Sequence, residues 1–216
     1  FQLRALEQVR GVEVAGLVSR TAPDALAAEV RELARLGARY IQIDAPHYPL
    51  LMQSETRAFY EGLGWDLEQW LGLGIAADNA VMDAAPDVCF ALHLCRGNQQ
   101  GRWLAEGGYD AIARQIFNRT KATRLLLEYD DERSGDFEPL RHIPENTTVV
   151  LGLLTTKWPR VEDADALRTR IKAATNFIPI ERLALSTQCG FASVAPGNDI
   201  PYEMQAEKLK LVADLA

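Results

Sequence analysis

The sequence predicts an α/β chain of the (β/α)8 TIM-type barrel kind, and three observations carry that expectation. Short apolar runs of parallel-sheet character alternate with amphipathic helical stretches. About six such runs are present, and five of them end in a polar residue or cluster, the place where open α/β sheets and (β/α)8 barrels put their chemistry. The chain has 216 residues, fewer than the roughly 250 that eight strands and their helices occupy. The expectation is therefore a barrel lacking its N-terminal strands, with residues 1–216 as one catalytic domain that no linker, repeat or low-complexity tract divides.

Taken in order, residues 1–10 read as helix already under way, and the opening on Phe1 rather than Met suggests a missing beginning. Residues 12–18 (VEVAGLV) are a β-prone run. Thr21 as N-cap, Pro23 in the first turn and Asp24 at the positive end of the dipole predict a helix over 23–36. Leu26, Val30, Leu33 and Leu36 recur there at helical spacing, and Gly37 suits the left-handed residue that ends a helix. Residues 40–46 form a strand that carries Asp44 at its end and stops at Pro46. Residues 51–84 hold two helices, with Leu67, Trp70, Leu71 and Met82 directed at the core. The apolar run from Asp87 then leads into His93, Leu94 and Cys95 and is stopped by Arg96-Gly97-Asn98. A helix over 109–119, a strand from Arg124 to Glu128 and a polar loop over 130–147 with one helical turn follow. A strand over 148–154, a helix over 161–176 with acidic residues in its first turn, a strand over 182–190 and a closing helix over 202–215 complete the chain.

Composition narrows the function. Apolar residues at 48% and charged ones at 25% are close to globular averages. A net charge of -7 argues against a polyanion partner, because nucleic-acid binding needs a basic footprint that no stretch here supplies. No stretch approaches the roughly 20 apolar residues of a membrane span and no secretory leader opens the chain, so a cytoplasmic protein with a small-molecule partner is expected. The three cysteines, Cys89, Cys95 and Cys189, make no disulfide framework and read as reduced thiols.

The chemistry concentrates at strand ends. In a strand His93 and Cys95 point the same way, roughly 6.6 Å apart at about 3.3 Å per residue. Glu128 and Cys189 end two later strands, so four potential ligands lie at three strand ends. Tetrahedral zinc accepts this mixture of nitrogen, sulfur and carboxylate oxygen, whereas magnesium and calcium take oxygen alone. A zinc-held thiol is the nucleophilic thiolate, which favours alkyl transfer to sulfur. Two other readings stay open at this stage: core packing of a His-x-Cys pair in a buried strand, and a Cys95–Cys189 disulfide. Cys89, six residues from Cys95 and about 20 Å away at strand rise, reads as core. Arg96 and Lys157 are candidates for binding an acid group of the substrate, and His47, just after Pro46, is a candidate catalytic proton donor.

His93-Leu-Cys95, Glu128 and Cys189-Gly190, together with Ile41-Gln-Ile-Asp44-Ala-Pro46 and the Arg133-Ser134 and Asp136 that follow Glu128, resemble the catalytic barrel of cobalamin-independent methionine synthases and their shorter relatives. The resemblance spans nearly the whole chain from about residue 22. It implies a Zn2+ cofactor on His93, Cys95, Glu128 and Cys189, with Asp44 gripping the amino end of a small thiol substrate and a methyl or alkyl donor as the second partner. Two departures bear on the substrate: Ala45 stands where methionine synthases usually have Glu, and Thr155-Thr156-Lys157 stands where they carry a His after the penultimate strand. The HLCRGN stretch is closer to the compact relatives, among them the epoxyalkane:coenzyme M transferases. The expectation is a zinc-dependent transferase alkylating a thiol, with epoxide–thiol transfer and a non-catalytic domain with a structural zinc as the alternatives. An arc with exposed edges would also favour a homo-oligomer.

Overall fold

The computed structural model describes residues 12–216, and the helix expected over 1–10 lies outside them. Among the described residues, five parallel strands form one sheet in the order β1-β2-β3-β4-β5: β1 Tyr40–Asp44, β2 Cys89–Leu94, β3 Arg124–Glu128, β4 Thr148–Leu154 and β5 Leu183–Thr187. Strand order follows chain order without reversal. Parallel crossovers are right-handed in nearly all proteins, so an unreversed order puts the connecting helices on one face and leaves the other as an inner wall. That is a barrel-type winding, and a doubly wound sheet would instead show a switch point.

The helices are α1 Val12–Arg35, α2 Ser54–Gly62, α3 Leu67–Met82, α4 Asp110–Phe117, α5 Ala164–Ala174 and α6 Tyr202–Leu215. The β-prone run at 12–18 is therefore not a strand. It opens α1, which continues through Pro23 to Arg35. Val14, Leu17 and Val18 also recur at i, i+3, i+4, and a short apolar run satisfies both periods. The loop over 130–147 contains two 3-10 turns, Glu132–Ser134 and Glu138–His142, where one helical turn was expected.

Alternation along the strands separates core from site. Phe90, Leu92 and Leu94 of β2 and Leu125 and Leu127 of β3 belong to the buried apolar cluster with Ile112, Ile116 and Phe117 of α4. The intervening positions His93 and Glu128 therefore face the inner wall. Register aligns Asp44 with His93, His93 with Leu126, and Glu128 with Gly152. β4 shifts register at Gly152/Leu154, and a Cβ at Gly152 would lie 2.8 Å from Gln188 Cα. Only glycine lets the end of β5 come this close to β4.

Candidate metal centre

Four side chains meet at the C-terminal mouth of the sheet. His93 lies near the end of β2, Cys95 just beyond it, Glu128 at the end of β3 and Cys189 two residues past β5. Their donor atoms all lie within 4.8 Å of one another. The sulfurs of Cys95 and Cys189 are 3.9 Å apart and both thiols are free. A disulfide requires about 2.05 Å, whereas two zinc–sulfur bonds of about 2.3 Å at the tetrahedral angle place sulfurs about 3.8 Å apart.

His93 donates from Nδ1 to Asp44 Oδ1 at 3.0 Å, which turns Nε2 toward the cluster, as a carboxylate behind a metal-binding imidazole does. Nε2 lies 3.4 Å from Glu128 Oε1 without the alignment of a hydrogen bond. His93 Nε2 and Glu128 Oε2 are buried with no hydrogen-bond partner among the described residues. Buried polar atoms are normally paired, and a cation between these two would satisfy both. The orphaned atoms, the sulfur spacing and the N/S/O/S donor set fit a zinc ion.

Glu128 is fully buried and held from two sides. Its Oε1 accepts from the Arg96 backbone N–H at 3.0 Å, and its own N–H donates to Tyr109 Oη at 2.9 Å. In the metal-free cluster, burial pulls the His93 imidazolium down, but the Asp44 and Glu128 carboxylates outweigh it and raise its pKa to about 10. The hydrogen bond with Cys189, then burial, pushes the Cys95 thiol up, while the same contact lowers Cys189 to about 6 with help from Ser193. One proton is thus shared across the sulfur pair, with the thiolate on Cys189.

Arg96 and His47 occupy places different from those expected. Arg96 is 0% exposed. Its guanidinium donates to Gly107 O at 2.6 Å and to Tyr109 Oη at 3.4 Å, and lies 4.3 Å over the Tyr109 ring. These contacts commit the side chain beneath the site, so only its backbone N–H reaches the cluster. His47 lines a small apolar pocket with Leu50, Leu51, Tyr60, Trp65 and Trp70, its ring 4.0 Å from Tyr48 and 5.7 Å from Trp70. Burial there lowers its pKa to about 4, against a smaller opposing pull from Asp44. An imidazole held neutral at pH 7 is a poor proton donor, so the expected catalytic role loses its physical basis. Asp44 and Lys157 do lie beside the cluster. Asp44 touches His93, and Lys157, 3% exposed, donates from Nζ to Gly97 O at 3.2 Å, the residue whose N–H lies 3.4 Å from Cys95 Sγ. Asn98, Tyr109, Ser193 and Asn198, which brace these residues, carry no periodic signal in the sequence, where Asn98 belongs to the stop of a strand and a substrate-side loop.

The fold and donor set define a barrel-type α/β protein with four side chains at its mouth that could hold a soft metal ion. Residues 17–205 match the family described as cobalamin-independent synthase, catalytic domain, and the chain belongs to that family. It is 40% identical over 182 residues to the uncharacterized protein YxjH of Bacillus subtilis, covering 83% of this chain and 48% of that protein. It is 26% identical over 189 residues to the 2-hydroxypropyl-CoM lyase of Xanthobacter autotrophicus, covering 75% of this chain and 46% of the lyase. Among solved structures, a Listeria monocytogenes protein classed provisionally as a vitamin-B12-independent methionine synthase superposes with a TM-score of 0.72 at 28% identity, over 93% of this chain and 54% of that one. The chain spans about half the length of the curated relatives it matches.

Proposed function

We propose that this chain carries the thiol-activating centre of a zinc-dependent transferase that moves a methyl or alkyl group from a donor onto the sulfur of a small thiol. The observation that most directly supports it is the convergence of His93, Cys95, Glu128 and Cys189 donor atoms within 4.8 Å; membership of the cobalamin-independent synthase family supports the reaction class. Zinc held by these four side chains would supply a Lewis acid that keeps the acceptor sulfur deprotonated and nucleophilic at neutral pH. The protein's own residues then bind and orient. Asp44 holds the His93 ring through Nδ1, and its side chain, 57% exposed at the mouth, is open to the ammonium end of an amino thiol. Lys157 uses one of its three N–H donors, on Gly97 O, and burial holds its pKa below the ordinary lysine value despite the Glu128 and Asp130 carboxylates nearby. It is the cation assigned to an acidic end of the acceptor. Arg96 acts through its backbone, fixing Glu128.

Likeness to 2-hydroxypropyl-CoM lyase favours a second reading, thiol–epoxide chemistry at the same centre, with Lys157 meeting a sulfonate. Zinc content of freshly purified reduced protein, followed by zinc-edge absorption with and without homocysteine, coenzyme M and simple thiols, tests both. One equivalent of zinc is expected, with added sulfur coordination from one of the thiols; which thiol it is separates the two readings. Absence of stoichiometric zinc overturns the metal centre. Zinc that no thiol perturbs overturns thiol activation and leaves a structural ion.

A further inference from the structure

Cys189 reaches Cys95 from a strand that is not its neighbour. β2 and β5 are three strand steps apart, about 14 Å along a sheet with strands about 4.8 Å apart, yet the two sulfurs are 3.9 Å apart. Curvature of the sheet closes part of that gap. The chain after β5 closes the rest by folding back over the mouth, where side-chain amides tie it to the loops after β2 and β4.

Both sides of Cys189 are pinned. On the preceding side, Gln188 Oε1 accepts from Thr156 N at 2.9 Å and from Thr156 Oγ1 at 2.8 Å. On the following side, Asn98 Nδ2 donates to Gly190 O at 2.7 Å and to Ser193 Oγ at 3.0 Å. Asn98 Oδ1 in turn accepts from Asn198 Nδ2 at 2.8 Å. Asn198 also donates to Thr156 O at 2.6 Å and accepts from Gly101 N at 2.9 Å. Each asparagine thus uses both its oxygen and its nitrogen, so neither amide can turn over without losing bonds. Asn98 is 5% exposed, where an unmade bond carries its full desolvation penalty.

Ser193 adds a direct contact to the ligand. Its Oγ lies 3.4 Å from Cys189 Sγ. Asn98 donates to a lone pair of this Oγ and leaves its hydrogen free to point at the sulfur, and a cysteine that ligates a metal is a thiolate, which can only accept. We infer that Asn98 and Asn198 form a clasp that sets the position of Cys189, and that Ser193 is a hydrogen-bond donor to its sulfur. All three are positioning residues for the metal centre, an inference that rests on the zinc reading above. Without the clasp, the sheet offers three ligands from β2 and β3, and Cys189 swings with its loop.

Four variants decide it: Asn98→Ala, Ser193→Ala, Ser193→Thr and, as the one-sulfur reference, Cys189→Ala. Zinc affinity is measured by chelator competition, and sulfur ligation by the thiolate-to-metal absorption of the Co2+-substituted proteins. Outer partners of metal ligands typically contribute about 10- to 100-fold in affinity. Asn98→Ala should lose affinity in that range, and its cobalt absorption should fall to the level of Cys189→Ala. Ser193→Ala should lose less affinity while keeping both sulfurs, and Ser193→Thr, which restores the hydroxyl, should recover the wild-type value. Wild-type affinity with two-sulfur absorption in Asn98→Ala overturns the clasp. If that variant does not fold, the serine pair decides, and equal affinities of Ser193→Ala and Ser193→Thr overturn the sulfur donor. A wild-type protein that binds neither zinc nor cobalt overturns the metal reading itself, which separates the two failures.

Discussion

Zinc uptake by the metal-free protein should release two protons at pH 7.5, and the affinity should fall steeply in acid. The perturbation is pH itself. Metal binds neutral imidazole, thiolate and carboxylate. Without metal, the Asp44 and Glu128 carboxylates hold the His93 pKa at about 10, so its ring is protonated at pH 7.5. The Nδ1 proton stays on its bond to Asp44 when metal binds, and the Nε2 proton must leave. Cys95 is raised and carries the proton shared by the sulfur pair, whereas Cys189, lowered to about 6, is already thiolate. His93 and Cys95 therefore lose one proton each. Log affinity should climb with a slope of about two per pH unit between pH 7 and 9, close to 100-fold or roughly 2.7 kcal/mol per unit at 1.36 kcal/mol per proton. Below pH 6 the slope should approach three as Cys189 also takes a proton. Calorimetry in buffers of differing ionisation enthalpy counts the protons directly. Release of fewer than one proton at pH 7.5 would refute protonated His93 and Cys95 in the metal-free protein.

Three further outcomes follow from contacts around the centre. Lys208→Met should destabilise the fold by about 3–5 kcal/mol, because Lys208 is fully buried and its Nζ meets both oxygens of Glu162, at 3.0 and 2.8 Å. Denaturant unfolding reads this, and a loss below about 1 kcal/mol would mean that Glu162 finds water instead. Gly152→Ala should cost about 1–3 kcal/mol, since its Cβ would meet Gln188 Cα at 2.8 Å and Leu127 O at 3.1 Å, both backbone. It should also weaken zinc binding, because Gln188 precedes Cys189. Thermal unfolding and chelator competition on the same sample check both effects, and unchanged stability would contradict the close approach. Tyr109→Phe removes the acceptor of the Glu128 N–H and a partner of Arg96 Nε. It should cost about 1–3 kcal/mol, measured by urea midpoints, and a neutral result would show that the ring alone suffices.

Much of the fold is legible in local pattern. The strands at Tyr40–Asp44, Arg124–Glu128 and Thr148–Leu154 and the helix at Tyr202–Leu215 follow from short apolar runs, helical spacing and Gly or Pro stops. Those signals depend only on neighbours in the chain. Because side chains alternate along a strand, the shared face of His93 and Cys95 was also readable, and so was the presence of Glu128 and Cys189 at strand ends.

The failures were of another kind. The run at 12–18 is apolar at both periods, and whether it extends α1 or pairs as a strand depends on partners that a seven-residue window does not contain. Arg96 reads in the sequence as a candidate for binding an acid group of the substrate, yet the structure buries its side chain. It is buried because the carbonyls of Gly107 and Ser134 and the hydroxyl and ring of Tyr109 come together around its guanidinium. His47 read as a titrating group until the aromatic pocket around it removed the water that would stabilise its charge. The sequence names His93, Cys95, Glu128 and Cys189 as donors because residue type and strand ends are local properties. The 3.9 Å between the sulfurs, the proton partition it creates and the Asn98–Asn198 clasp belong to the tertiary structure. They depend on how far the loop after β5 travels back across three strands, a path set by hydrogen bonds between residues about 100 positions apart.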